Sequence, residues 1–537
     1  MFNFFSRRPS ATQQVLFSVP QADPFENPLV ETNPEQLRQW ATALPFANPQ
    51  QLAESVITSL GRLNRYPKPI KQREELMQVY ITPALRLSHT VAKRKSQTPI
   101  ILIRKVLQEL AYGYCHIANE CISSKPNKKS LSRLGNALYH AIKYFSLEYL
   151  LACEEFDCRY GATYRQISRL MTFATEQNLH LIEMHDNDQP EPYQTTITHQ
   201  YNRFLLLLLL DPCHLQEGEP RLCYEFLNTV AGEALTIPPI DDGEITGRYV
   251  IDRLGEVPPY LLHRDGLENL AQPRFALFDL NPVSQNLHHQ IRRMEQSEQK
   301  RPESLSKLTI HEANNLLARM LKSWHIRLRR DSERHNTSGQ VLMWIGVQQV
   351  HSYLSGEVPT SEVEQQEITM SQPIGINAES LPTAQCCLPA MRTNQSRSGV
   401  ALRIPRKVVN APLIGDLILI SRNRERTGND WKIGVVKRAF NVQENLLEFG
   451  IQFVLGKIEP ITLRLYRPHH DEQKQMDHPG IFIEQGHIHR SSLIVPKHFF
   501  VIGQEYRIEE MIPAPSVMPL QLLESTARFE RYRIKSI

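Results

Sequence analysis

Over most of the chain up to Trp324 apolar residues recur every three or four positions, and from Gln340 they recur every two. The change of period falls on one charged run, Arg329-Arg330-Asp331-Ser332-Glu333-Arg334. A period of three to four buries one stripe of a helix, and a period of two buries one face of a strand. The chain is therefore helical first and β-rich afterwards, a multidomain α+β protein with guanidinium groups at the junction.

Residues 1–30 are polar and proline-dotted and read as a flexible tail. Asn33-Pro34 and Asn48-Pro49 each open a helix by cap and proline. The clearest helix follows Pro99, where Ile103, Val106, Leu107, Leu110, Ala111, Tyr114, Ala118 and Cys121 form one stripe. Further helices are predicted from Ser130 to about Cys153, around Ile167 to Ala174, from Tyr201 to Leu210 and around Cys223 to Ala234. Residues 31–235 are thus expected to form an antiparallel helical domain. From Ile237-Pro238-Pro239 the pattern changes to short apolar runs between Pro and Gly clusters, a small mixed connector over 236–300. A linker helix follows over 301–324 and ends at the arginines.

Strands are predicted at Gln340 to Gly346, Val400 to Ile404, Leu417 to Ser421, Trp431 to Phe440 and Leu446 to Val454. Short strands at this spacing indicate a small antiparallel barrel over 325–470. Residues 356–385 hold five glutamates and not one Lys or Arg, and read as an acidic insertion in it. Residues 471–537 are expected to add a C-terminal β extension.

The eight cysteines, at 115, 121, 153, 158, 213, 223, 386 and 387, include no Cys-x-x-Cys pair and read as reduced thiols, which with the absence of a secretory signal suggests a cytoplasmic protein. The longest apolar run, Phe204 to Leu210, is far short of the roughly 20 residues a membrane span needs. Net charge is +4, yet between Arg62 and Arg133 fifteen Lys/Arg face only four Glu. Such a surface can meet nucleic acid or an acidic protein. A solvated helical face with its counter-charges elsewhere in the fold accounts for it equally well.

Sixty residues after Arg334, the stretch Asn394-Gln395-Ser396-Arg397-Ser398-Gly399 forms a polar turn ending in glycine. Arginine presents a planar fork of donors that matches phosphate oxygens and the O6/N7 edge of guanine. Asn394 can add an amide and Ser396 a hydroxyl, while Gly399 allows a close backbone turn. Arg-x-x-x-Arg entering a first strand, then Asn-x-Ser-x-x-Gly, then Trp431-Lys-Ile-Gly-Val-Val-Lys437 and Leu447-Glu-Phe-Gly-Ile-Gln452, resembles the PilZ domain over about residues 325–457. That resemblance implies a six-stranded barrel and cyclic di-GMP as ligand. It implies Arg330 and Arg334 as the residues gripping phosphate and guanine and Asn394, Ser396 and Gly399 as the barrel side of the site, with Arg329 beside them as an extra ligand. The long helical N-terminal region is similar to that of a proteobacterial PilZ-type group.

Other constellations carry less. His469, His470, His478, His487 and His489 lack a completing carboxylate or thiolate, so no metal is expected. Glu233-Ala234-Leu235 matches the signature tripeptide of cyclic di-GMP phosphodiesterases without the carboxylate array that metal-assisted hydrolysis requires. No phosphate loop or nucleophile elbow is present. The expectation is a non-enzymatic cyclic di-GMP effector without a cofactor, acting on an unidentified protein partner. The alternative is a ligand-free helical scaffold that binds nucleic acid or an acidic protein through 62–133.

Overall fold

A computed structural model describes residues 17–23, 30–67, 70, 72–92, 100–124, 127–188, 193–239, 245–263, 272–296, 301–325, 333–356, 387–406, 408, 410–424, 426, 430–443, 445–465, 477–484, 491–501, 503–508 and 516–536. The chain divides into two compact units, residues 1–212 with 220–327, and residues 213–219 with 328–537.

The first unit is built on helices α1 (Pro34–Thr42), α2 (Pro49–Asn64), α3 (Arg73–Ala92), α4 (Ile100–Ser123), α5 (Lys128–Glu154), α6 (Gly161–Glu176), α7 (Ile197–Leu209) and α8 (Glu219–Val230). Asn33 and Asn48 cap α1 and α2 through their side-chain oxygens, with proline at the first helical position. The predicted stripe of α4 is buried throughout. Helix α5 is buried on every side from Leu134 to Cys153 except Asn136 and Leu147, as befits the central element of a bundle. The sequence pattern misses a hairpin, β1 (Met184–Asp186) with β2 (Tyr193–Thr195), which is bound to α5 by charge. Lys143 Nζ donates to both Asp186 oxygens at 2.7 Å and to Asp188 at 2.9 Å, and the Tyr139 and Tyr144 hydroxyls donate to Asp186 and Asp188.

Strands β3 (Leu235–Ile237), β4 (Arg248–Asp252), β5 (Tyr260–Leu261) and β6 (Phe275–Asp279) make a four-stranded sheet in the order β3-β6-β4-β5. Helices α9 (Asn281–Gln296) and α10 (Ile310–His325) complete this unit. The last turn of α10 is firmly held. Trp324 is fully buried and its carbonyl accepts from the Tyr249 hydroxyl at 2.9 Å, while His325 Nε2 meets Ser284 Oγ at 2.6 Å. Among the described residues no helix is long and apolar enough to cross a membrane.

The second unit holds two closed barrels. The first comprises β7 (His335–Ile345), β8 (Leu388–Gln395), β9 (Gly399–Pro405), β10 (Leu417–Ser421), β11 (Lys432–Gln443) and β12 (Leu446–Phe453), joined in the order β7-β8-β9-β12-β11-β10. This is the six-stranded antiparallel barrel expected from the sequence. A second barrel is closed by β13 (Lys457–Leu465), which falls within the 325–470 expected for the first barrel, and by five strands of the expected extension 471–537: β14 (His478–Glu484), β15 (Ser492–Pro496), β16 (Tyr506–Ile508), β17 (Ser516–Ser525) and β18 (Phe529–Ser536). Its order, β13-β14-β15-β18-β17-β16, repeats that of the first barrel strand for strand. Helix α11 (Val347–Ser355) fills the space between them. Val347, Val350 and Leu354 share one apolar cluster with Leu417, Leu419 and Val435 of the first barrel and Ile481, Ile483 and Ile494 of the second. One outer face of the first barrel is thereby covered.

Candidate functional site

The first barrel begins where the arginine run ends. Strand β7 pairs antiparallel with β8, His335 opposite Gln395 and Asn336 opposite Asn394. Continued by one residue, this register aligns Arg334 with Ser396. The acidic insertion expected at 356–385 lies between α11 and β8 in sequence, all of it but Gly356 outside the described residues, and the β7–β8 register forms across it.

Beyond β8 the chain turns sharply. The Ser396 N–H donates to the Gly399 carbonyl at 2.8 Å, and the Ser398 carbonyl accepts from the Phe453 N–H at 2.8 Å. A Cβ at Gly399 would stand 2.4 Å from the Ile451 carbonyl oxygen, a distance no side chain tolerates. Glycine is required here by the close approach of β12.

Ladder partners share a face, so the register sorts the site residues. Val400, Leu402 and Ile404 on β9 turn inward with Leu447, Phe449 and Ile451 on β12, and all six are buried. The outward set runs in two rows across the strands. One holds Asn336, Asn394, Ala401, Gly450 and Arg438, the other Met391, Arg403, Glu448 and Phe440. A cleft of about 500 Å³ opens on this face, lined among others by Asn336, Ser338, Asn394, Arg403 and Glu448. Arg403 Nε donates to Glu448 Oε2 at 2.6 Å. Arg438 lies on the Phe440 ring, 4.9 Å from its centroid.

A second hollow of about 250 Å³ sits at the barrel end where β7 enters, lined by Arg392, Gln395, Arg422, Asp430 and Lys432 above apolar Val341, Val400, Ile420 and Phe453. Arg392 Nη1 donates to Gln395 Oε1 at 3.0 Å, and Lys432 Nζ lies 4.7 Å from the Phe453 ring centroid. This end of the barrel is thus cationic and rich in donors, which suits a polyanion with heterocyclic bases.

Of the sequence-predicted residues, Arg334 is exposed at the start of β7, Asn394 lines the larger cleft, and Ser396 and Gly399 form the turn beside it. Arg329 and Arg330 lie outside the described residues. Sequence reasoning did not single out Arg403, Glu448 or Arg392. The available signal was an outward-facing charge in each of two strands, and its meaning depends on which strands pair.

Among the described residues, four arginines of the basic segment 62–133 pair with carboxylates of their own unit. Arg65 donates to Glu109 at 2.8 Å and Arg73 to Glu120 at 3.1 Å; Arg104 bridges Glu148 and Asp157, and Arg133 bridges Glu74 and Glu120. Burial lowers the Arg73 pKa, against the opposing pull of Glu120. Of His469, His470, His478, His487 and His489, only His478 falls among the described residues, where no cluster of three or more metal-ligating side chains occurs.

Residues 35–238 match the family model for the N-terminal domain of the cyclic-di-GMP receptor FimW, and residues 249–381 match the model for its middle PilZ domain. The two matches together span more than half of the chain. The second takes in the arginine run and ends before β8, so Asn394, Ser396 and Gly399 lie beyond it. No curated protein and no solved structure matches the chain.

Proposed function

This chain belongs to the PilZ-domain cyclic di-GMP receptor family, and we propose that it is an effector that converts ligand binding into altered contact with a protein partner. The family is a receptor and not a catalytic one, and its ligand is cyclic di-GMP. One observation carries the assignment of the site: the β7–β8 register sets the end of the arginine run against the Asn394 to Gly399 turn. Arg329, Arg330 and Arg334 grip phosphate and guanine from one side, and Asn394, Ser396 and the Gly399 turn receive the ligand from the other.

The arginine run joins the anchored end of α10 to the first ladder pair of β7, so it is a covalent connection between the two units. A ligand that fixes this run selects among arrangements of those units and changes the surface offered to a partner in the cytoplasm. Titration calorimetry with cyclic di-GMP on the wild type and Arg330→Ala tests the binding step. Absence of binding by the wild type, or equal binding by the variant, refutes the assigned site. Small-angle scattering with and without ligand tests the rearrangement, and superimposable curves refute it.

A further inference from the structure

We infer that the Arg403–Glu448 pair on the outer face of the first barrel reads the guanine base, and so sets the preference for a guanine over an adenine dinucleotide. This rests on the proposed function and adds a specificity element outside both sequence motifs.

The two residues are direct ladder partners on β9 and β12 and face the same way. Glu448 is buried, with 10% of its side chain exposed, whereas Arg403 is 40% exposed. The carboxylate holds the guanidinium through Nε at 2.6 Å, which fixes the plane of the fork while its outer nitrogens remain directed away from that bond. Both residues line the cleft of about 500 Å³ that contains Asn394. Withdrawing a carboxylate this far from water is costly unless its acceptors are used. One cross-strand bond uses a single oxygen of Glu448 and leaves acceptor capacity at the cleft.

Donor and acceptor thus stand side by side, a pattern complementary to guanine. Guanine presents O6 and N7 as acceptors, which a guanidinium matches, and N1–H and N2–H2 as donors, which a carboxylate accepts. Adenine places an N6–H2 donor where guanine has O6, so it would direct a donor at Arg403. The neighbouring Ala401 and Gly450 project little or no side chain, which leaves room for a planar ring between Asn394 and Arg438.

Titration calorimetry with cyclic di-GMP and cyclic di-AMP on the full chain tests this, using the wild type, Arg403→Ala, Arg403→Lys and Glu448→Gln. The wild type is expected to favour the guanine ligand, and Arg403→Ala and Glu448→Gln to reduce that preference at least tenfold, the loss of about one bidentate base contact. Arg403→Lys keeps the charge without the fork and is expected not to restore it. Thermal melts of the same variants establish that each is folded. Unchanged preference in folded Arg403→Ala and Glu448→Gln overturns the inference while the receptor assignment stands, as does an equal loss of affinity for both ligands. A wild type that binds neither ligand overturns both.

Discussion

Asn336 on β7 and Asn394 on β8 are direct ladder partners, although 58 positions separate them in sequence. Their register aligns Arg334, two residues before Asn336, with Ser396, two residues after Asn394. Replacing Arg334 by Ala is therefore expected to weaken cyclic di-GMP binding tenfold or more, as read by calorimetry, because a guanidinium contact to phosphate or guanine contributes roughly 1–3 kcal/mol. The fold should be unaffected, since the Arg334 side chain is exposed.

Two glycines on neighbouring strands should respond differently to the same change. At Gly399 an added Cβ meets the Ile451 carbonyl at 2.4 Å, whereas at Gly450 its nearest neighbour is the Arg438 Cβ at 3.5 Å. Gly399→Ala is expected to destabilise the barrel by about 1–3 kcal/mol in urea denaturation, and Gly450→Ala to change it little.

The two barrels share a strand order, yet only the first is preceded by an arginine run. Strand β13 follows β12 after only Val454-Leu455-Gly456, and Gly456 takes a positive φ where a Cβ would meet the Glu484 carbonyl at 2.6 Å. Arg533 and Lys535 are exposed on the last strand of the second barrel. Arg533→Ala and Lys535→Ala should leave cyclic di-GMP affinity and stoichiometry at wild-type values in calorimetry, whereas Arg334→Ala should not.

In the first unit, burial of the Asp252 carboxyl would raise its pKa, but Arg274 and the backbone N–H groups of Val257, Leu254 and Glu256 outweigh this and hold it at about 2. A carboxyl below its ordinary value near 4 stabilises the fold above that pH, and the contribution fades as pH falls from about 4 to about 2. Asp252→Asn should cost about 2 kcal/mol at pH 7, and melts at stepwise lower pH should show the gap to wild type closing over that window.

Arg104 joins Glu148 and Asp157 with 22% of its side chain exposed. Arg104→Ala leaves the largely buried Glu148 carboxylate without its cation, while Asp157 keeps its bond to Arg159 at 2.6 Å, and is expected to destabilise the helical unit by about 3 kcal/mol in denaturation, without altering cyclic di-GMP affinity. A reduced ligand affinity in the folded variant would contradict a purely structural role for this part of the basic segment.

The helices were legible because their signal is local. The α4 stripe and the Asn-Pro caps can be read from a few consecutive residues, since one amphipathic helix carries its whole pattern in one window. Strand β8 was not legible, although Asn394 stands on it. It follows the acidic stretch, holds Pro389, and lacks strict apolar alternation, so it becomes a strand only by pairing with β7 and β9. Lys143 gave no indication of the β1–β2 hairpin it anchors, because its carboxylate partners lie more than forty residues away.

The sequence by itself determined the order of helical and β-rich parts, the two motifs and the chemical class of ligand they imply, because residue type and spacing carry these directly. Tertiary structure decided that the last six strands close a second barrel in place of extending the first, and that Arg403 and Glu448 stand together in the cleft with Asn394. Barrel closure and cross-strand pairing are long-range choices among strands of similar pattern, set by register and by which faces α11 and its neighbours cover.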